Sequence, residues 1–330
     1  MSGLIAPAGP LSPLKVGILG TGRIVGPAMV EPAAGRPDVE VRAIASRDKD
    51  RARTAADRHG IPVACKGYEA LIDRDDIDLV YIALPPALHC EWTIRSLMAG
   101  KAVLCEKPLA MTPAEVDAMY GAARMAGRPL IEAMHYHFHP IIRTIGAMIA
   151  AGRIGTVLAA HGRLGINVPS RPHEHRFSGA LGGGALMDLG CYPLHAFHLL
   201  LGEGHHELAV RAGFSAGVDM ACAARFRMDS GTRSSIRCSL RSRSMTSNLV
   251  FRGATGSIGL KGFIMPHRNG SAWLESDGHI RMLEIDPIST YAAQLDHVTR
   301  LIRTGDADPD GEKASRLTAA TISAISAIMR

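Results

Sequence analysis

The tightest constraint on what this chain can become lies near its start. Lys15-Val-Gly-Ile-Leu19 is apolar enough for a buried strand, and it runs directly into Gly20-Thr-Gly22-Arg-Ile-Val-Gly26. Glycines at 20 and 22 allow a tight turn and a close backbone approach. A helix opening after such a turn points its free N–H groups and dipole at a phosphate. The third position of the dinucleotide fingerprint is Val25, with Gly26 one place late. The turn therefore takes its meaning from its context, the first strand of a strand–helix alternation.

That alternation continues. Val39–Ala45, Leu79–Leu84, Ala102–Cys105 and Pro129–Met134 read as further strands, the third of the series being stopped by Pro85-Pro86. Arg51–His59, Tyr68–Ile72, His89–Ala99 and Pro113–Ala126 read as helices between them, with Thr112-Pro113 as N-cap and first helical residue. Alternation of this kind requires a parallel sheet with helices on its faces. Near residue 135 the rhythm changes. A helix follows His139-Pro140 and ends at Gly152, and another runs from about Gly184 to Leu201. Strand-like stretches come next at Leu208–Phe214, Ala221–Arg227, Arg233–Leu240, Asn248–Arg252, Ser271–Glu275 and Ile280–Ile285, and then two helices, about Tyr291–Arg303 and Glu312–Met329. Several of these strands alternate polar and apolar residues, the mark of an antiparallel sheet with one wet face. The expected architecture is α/β: a doubly wound Rossmann domain over 14–135, and an α/β domain over 136–330 with a largely antiparallel open sheet. The second domain would bind substrate and mediate oligomerisation, and its last helix would pack back on the first.

A chain of 330 residues is long enough for two such cores without staples. Lysine and arginine number 37 against 31 acidic residues, a formal charge of +6, and no run of five like charges occurs. That suits anionic small molecules and gives no nucleic-acid footprint; aromatics, at 5%, do not interleave with the arginine-rich strands. No stretch of 18 apolar residues exists to span a membrane. The leader MSGLIAPAGPLSPLK lacks a basic region followed by an apolar core, and reads as a frayed end. Cys65, Cys90, Cys105, Cys191, Cys222 and Cys238 are widely spaced with no C-x-x-C pair, which suits a reducing cytoplasm.

The end of the second strand should read the adenosine ribose. Here it carries Ser46-Arg47-Asp48. Ser46 can donate a hydrogen bond and Arg47 can hold a 2′-phosphate, so NADP is the expected cofactor. NAD stays open if Asp48, which otherwise reads as an N-cap, serves as the ribose acceptor. His135, His137 and His139 alternate and would share a face on a strand, but no acidic or cysteine partner at metal spacing lies beside them, so no metal is expected. His173 and His175 precede a glycine-rich helix start and would line a substrate mouth.

Two further motifs lift the reading from fold to family. Gly100-Lys-Ala-Val-Leu-Cys-Glu106-Lys107-Pro108-Leu109-Ala110, and about 80 residues later Gly182-Gly-Gly-Ala-Leu-Met-Asp188-Leu-Gly190-Cys-Tyr192, resemble the signature of the glucose–fructose oxidoreductase/inositol dehydrogenase (Gfo/Idh/MocA) family. So does Leu84-Pro-Pro-Ala-Leu-His89, and the resemblance extends from about Lys15 to the C-terminus. It implies cofactor contacts from Gly20, Gly22, Arg23, Ile24, Ser46, Arg47, Leu84, Pro85, His89, Glu106 and Lys107. It also implies a cis Lys107–Pro108 bond, and a helix bearing Asp188 and Tyr192 that faces the nicotinamide. Many members carry histidine where this chain has Tyr192, a replacement shared with a branch of sugar and diol dehydrogenases. Lys107, its pKa lowered by partial burial, and Tyr192 would handle a hydroxyl proton while Asp188 orients. Pro193 would kink the helix by removing one of its hydrogen bonds. The expected activity is NADP-preferring hydride transfer at a carbinol or carbonyl carbon of a sugar, polyol or cyclic diol, by a homodimer or homotetramer. Reduction of an imine or a bound pigment on the same scaffold, and a non-catalytic NADP sensor, are the alternatives.

Overall fold

The structure is a computed structural model that describes residues 12–169, 174–202 and 204–329. His173 and most of the leader lie outside the described residues. In the first half, β1 (Leu14–Leu19), β2 (Val39–Ser46), β3 (Val63–Lys66), β4 (Leu79–Ile82), β5 (Ala102–Cys105) and β6 (Leu130–Glu132) form one sheet in the order β3-β2-β1-β4-β5-β6. Every pairing in it is parallel. The order reverses between β1 and β4, and ligands of open α/β sheets bind at the carboxyl ends of strands beside such a reversal. The connecting helices are α1 (Glu31–Ala33), α2 (Lys49–His59), α3 (Glu69–Ile72), α4 (His89–Met98) and α5 (Pro113–Ala126). Thr112 caps α5 in a reciprocal capping box with Glu115, as its position before Pro113 predicts.

The second half follows with α6 (Pro140–Ala150), β7 (Val157–Asn167), α7 (Cys191–Leu201) and a run of seven strands. These are β8 (His205–Ser215), β9 (Val218–Met228), β10 (Arg233–Ser239), β11 (Arg241–Gly253), β12 (Gly256–Lys261), β13 (Ser271–Ser276) and β14 (His279–Leu283). They join β7 in one sheet, ordered β14-β13-β12-β11-β7-β10-β9-β8. Within this sheet only β7 and β10 pair in parallel among the described strands; the other neighbours are antiparallel. The sequence reading missed β7, β12 and β3. In β7, Gly162 faces α7: a methyl group there would sit 2.4 Å from Pro193 Cβ, so the helix lies on the sheet only because that position is bare.

Chain order and packing part company at the C-terminus. Helix α8 (Thr290–Thr304) buries Leu295, Val298 and Leu301 with Val16, Ile18 and Met29 in the core of the first domain. Helix α9 (Pro309–Met329) starts against α5 and β6 and ends in the second core through Ile322 and Ile325. The helix that completes the first domain is thus the penultimate one, and the last spans both cores.

His135, His137 and His139 do not share a strand face. They lie on or beside a 3-10 turn, His135–Phe138, and their side chains diverge. His135 Nδ1 meets Thr290 Oγ1, the His137 ring stacks on Phe138, and His139 Nε2 lies 3.1 Å from the Asp286 carbonyl.

Candidate active site

One cleft of roughly 1660 Å³ runs from the β1 turn and the end of β2 across the two sheets to α7. At its first end, Gly20 has φ +105°, and a Cβ there would sit 2.4 Å from the Ala83 carbonyl oxygen. Only glycine makes this turn, and the backbone it leaves bare lines the cleft with Gly22, Arg23 and Ile24. The following segment, Gly26–Val30, is a wide π-turn and not a regular α-helical start. Ser46, Arg47 and Asp48 lie beside it with Arg51 and Tyr68. The Asp48 carboxylate is already engaged, accepting the N–H groups of Asp50 and Arg51 at 2.9 and 3.0 Å as the N-cap of α2. Ser46 Oγ accepts the Asp48 N–H. Arg47 and Arg51 bring two positive charges to this end of the cleft, with Tyr68 beside them. This end fits a dinucleotide carrying an additional phosphate.

Leu84 and Pro85 line the middle of the cleft, but His89 does not. Expected as a cofactor contact, His89 is instead fully buried, with Nδ1 2.9 Å from the Pro108 carbonyl and Nε2 2.8 Å from that of Leu84. Burial pushes its pKa down to about 4 while the two carbonyls pull the other way, and the ring braces two loops from behind.

At the far end, β5 delivers Glu106 and Lys107 beyond its carboxyl end, and Lys107–Pro108 is cis. Glu106 accepts the Tyr81 hydroxyl at 2.6 Å. Lys107 Nζ donates to Asp188 Oδ1 and to the Asp188 carbonyl, both at 2.7 Å. Two of its three N–H groups are thereby occupied and one is left for a ligand. Its pKa is not lowered, contrary to expectation. Burial pushes it down, but the Asp188 carboxylate outweighs that, and the net direction is up. Asp188 in turn accepts Arg176 Nε at 2.7 Å on its other oxygen. Burial opposes its ionisation, yet Lys107 and Arg176 hold the carboxyl well below the usual range. Arg176 also donates to Glu174, which accepts Arg23 from the glycine turn at 3.3 Å. A line of alternating charge thus ties the two ends of the cleft together.

Asp188 and Tyr192 were expected on one regular helix. The structure instead places Asp188 in a π-turn, Leu186–Gly190, that leads into α7. In that five-residue register the N–H that would reach the Asp188 carbonyl belongs to residue 193. That residue is proline and has no N–H, so the carbonyl is available to Lys107. The entry to the turn is tight: Gly184 has φ +114°, and a Cβ there would overlap the Asp219 carboxylate. Asp219 accepts the Leu186 N–H at 2.8 Å and so anchors the start of the segment. The Tyr192 ring lies beneath Lys107 Nζ, 4.9 Å from its centroid. Its hydroxyl makes no hydrogen bond among the described residues, and the side chain lines the cleft. Burial, first, and the nearby Tyr291 and Glu106 raise its pKa well above the ordinary tyrosine value, so it is a phenol at neutral pH.

Of the cofactor and catalytic residues singled out from sequence, all but His89 line this one cleft, as do His135 and His175, whereas His137 and His139 do not. The sequence reading did not find Arg51, Tyr68, Glu174, Arg176, Asp219 or Tyr291 as site residues. Asp219 sits in β9 and the others on loops or short helical turns and helix starts, all without a motif, and only the fold brings them here.

Residues 14–134 match the family model described as an oxidoreductase family with an NAD-binding Rossmann fold, and residues 142–259 match the GFO/IDH/MocA C-terminal domain. The chain is 32% identical to the NADP(+)-dependent D-xylose 1-dehydrogenase 2 of Haloferax volcanii, over 94% of this chain and 96% of that protein. It is also 32% identical to the trans-1,2-dihydrobenzene-1,2-diol dehydrogenase of Xenopus laevis, over 76% of each. A crystal structure of a 3-ketoreductase from Actinomadura kijaniata, in complex with NADP and TDP-benzene, superposes with a TM-score of 0.86. That match is 28% identical and covers 96% of this chain and 97% of that one. With both domain models matched and relatives aligned over nearly its whole length, the chain belongs to the Gfo/Idh/MocA family of oxidoreductases.

Proposed function

We propose that this protein is an NADP(H)-dependent dehydrogenase or reductase that interconverts a carbinol and a carbonyl on a sugar, polyol or cyclic diol. The observation that carries the reading is the Tyr192 hydroxyl, which has no hydrogen-bond partner among the described residues and lies in the cleft beside the Lys107–Asp188 pair. When bound, the nicotinamide supplies or takes the hydride. In the reducing direction, Tyr192 gives its hydroxyl proton to the oxygen of the reacting carbon, and it takes one back in oxidation. Lys107, fixed by Asp188, turns its remaining N–H toward the substrate oxygen or the cofactor ribose, and its charge offsets negative charge developing on either oxygen. Arg176 holds Asp188 from the other side, so Lys107 is kept in place without its charge being titrated away. Arg47 and Arg51 would hold the adenosine phosphate. The xylose and dihydrodiol dehydrogenases among the relatives, with the ketoreductase, support oxygenated carbon substrates over imines. We further propose that the open face of the second sheet associates with a second copy of the chain.

The test is turnover. The purified protein is assayed with NADP+ against D-xylose, other aldoses, inositols and trans-dihydrodiols, and with NADPH against ketoses, following reduced nicotinamide. Activity is expected with at least one of them. Tyr192→Phe and Lys107→Met should each lower kcat by about 10²–10⁴-fold. The double variant should lose far less than the product, because the two residues act as a unit. Cofactor binding without turnover on any of these compounds would sink the reading in favour of a sensor.

A further inference from the structure

We infer that His135 is a second substrate-binding group, a neutral imidazole whose Nε2–H donates to a substrate oxygen other than the one served by Tyr192. The inference rests on the cleft being the alcohol–carbonyl site proposed above. His135 leaves β6 on the 3-10 turn, and three residues of α7 and α8 fix its ring. It stacks on Tyr291, centroid to centroid 4.1 Å, and stands edge-on to Tyr192 at 6.0 Å. Nδ1 lies 2.8 Å from Thr290 Oγ1. The ring lines the cleft next to Tyr192 and Lys107.

Hydrogen-bond accounting decides the tautomer. Thr290 is fully buried, and its hydroxyl has His135 Nδ1 as its one hydrogen-bond partner among the described residues. Were Nδ1 protonated, the Thr290 hydroxyl hydrogen would be buried with no acceptor, a costly arrangement. Thr290 therefore donates, Nδ1 accepts, and the ring hydrogen sits on Nε2. Nε2 makes no hydrogen bond among the described residues, so this donor faces the cleft unpaired. Burial, with Lys107 and His267 adding to it, pushes the pKa of His135 down to about 3. The imidazole is thus no proton carrier at working pH, and its contribution is recognition. Two neutral donors, the phenol of Tyr192 and the imidazole of His135, converge on the same end of the cleft. They fit a substrate bearing a second oxygen near the reacting carbon, such as a vicinal diol or a hydroxy ketone, better than a simple alcohol.

The double variant His135→Phe/Thr290→Val tests this, since it removes both hydrogen-bonding partners together and keeps an aromatic ring against Tyr291. It is compared with the wild type on whichever sugars and diols the wild type turns over, and on their deoxy analogues. KM for the oxygenated substrates is expected to rise about tenfold, the worth of one lost hydrogen bond. The KM for NADP+ should hold, kcat should change less than about threefold, and the preference over the deoxy analogue should shrink. Nitrogen-15 NMR of the wild type, with His135→Phe to assign the signal, should show hydrogen on Nε2. Unchanged KM and deoxy preference in a folded variant, or hydrogen on Nδ1, would overturn the inference alone. No turnover by the wild type on any compound would overturn the underlying functional reading with it.

Discussion

Arg47 is the residue proposed to tell the cofactor apart from its close analogue. Asp48 beside it caps α2 through Oδ1 alone, so its Oδ2 is the acceptor that the ribose of NAD(H) could still use, whereas only a cation such as Arg47 suits a 2′-phosphate. Arg47→Ala should weaken NADP(H) binding by about 10- to 100-fold, the range for one charge-assisted hydrogen bond, and leave NAD(H) binding within about threefold. Fluorescence titration with both nucleotides measures the difference, and equal losses would show that Arg47 does not read the phosphate. At this scale the sequence was legible where residue type and motif agree. Gly20, Lys107, Asp188 and Tyr192 each follow a strand end or sit in a spaced signature, and each lines the cleft. His89 shows the limit. A histidine after Pro85-Pro86 can point forward to a ligand or back to the next loop, and only the Pro108 carbonyl, 19 residues on, settles which. Arg176 and Glu174 carry no local signal, because their partners lie on the glycine turn and on the segment before α7.

At the scale of elements, four histidines sit in places that hydrophobic patterning cannot distinguish from core. His89 opens α4, His135 and His137 lie on one 3-10 turn, and His195 is inside α7. Burial pushes the first three down to about 4, 3 and 4, and the last well below its ordinary value. In the unfolded chain all four would take up protons near pH 6.5. Their contribution to stability is therefore complete above about pH 6.5 and is lost as the pH falls toward 4. Glu132, raised to about 7, and Asp219, raised to about 6, act with the opposite sign, because burial keeps them protonated in the fold at a pH where the unfolded chain would ionise them. The histidines held down in the fold, which also include His139, His161, His175, His205 and His267, outnumber the raised acids, so stability should rise with pH between roughly 5 and 6.5. Urea midpoints across that range measure it, and a flat profile would show that the histidines are not held neutral. The strand–helix alternation, by contrast, was legible because period and glycine punctuation agree in β1, β2, β4 and β5. In β7 and β12 the glycines that admit Pro193 and the Trp273 ring also dilute the strand pattern, and both strands went unread.

Over the whole molecule, the two sheets have different fates. The first is covered on both faces, one of them by α8 arriving from the far end of the chain. The second is covered on one face by α7 and α9, and its other face is open. His161, Arg163, Arg225, Arg233 and Arg237 stand on that open face, in register across β7, β9 and β10. Ile280 and Met282, exposed on β14 across from Glu275 and Trp273, add apolar surface to the same face. A chain that leaves so much of one sheet bare is expected to cover it with a second copy through a twofold contact. The arginines make a further consequence specific. Two copies meeting on this face bring like charges together, and salt screens that repulsion over about 10 Å at 0.1 M. Association should therefore tighten as salt is raised from a few millimolar to 0.15 M, the reverse of an interface held by ion pairs. Sedimentation equilibrium at micromolar protein should give a multiple of 35.1 kDa, with a dissociation constant that falls with added sodium chloride. Arg237→Ser should strengthen association at low salt and remove part of the salt dependence, while Ile280→Asp together with Met282→Asp should weaken it at every salt. A mass of 35.1 kDa at all salt concentrations would show that the open face stays bare in solution.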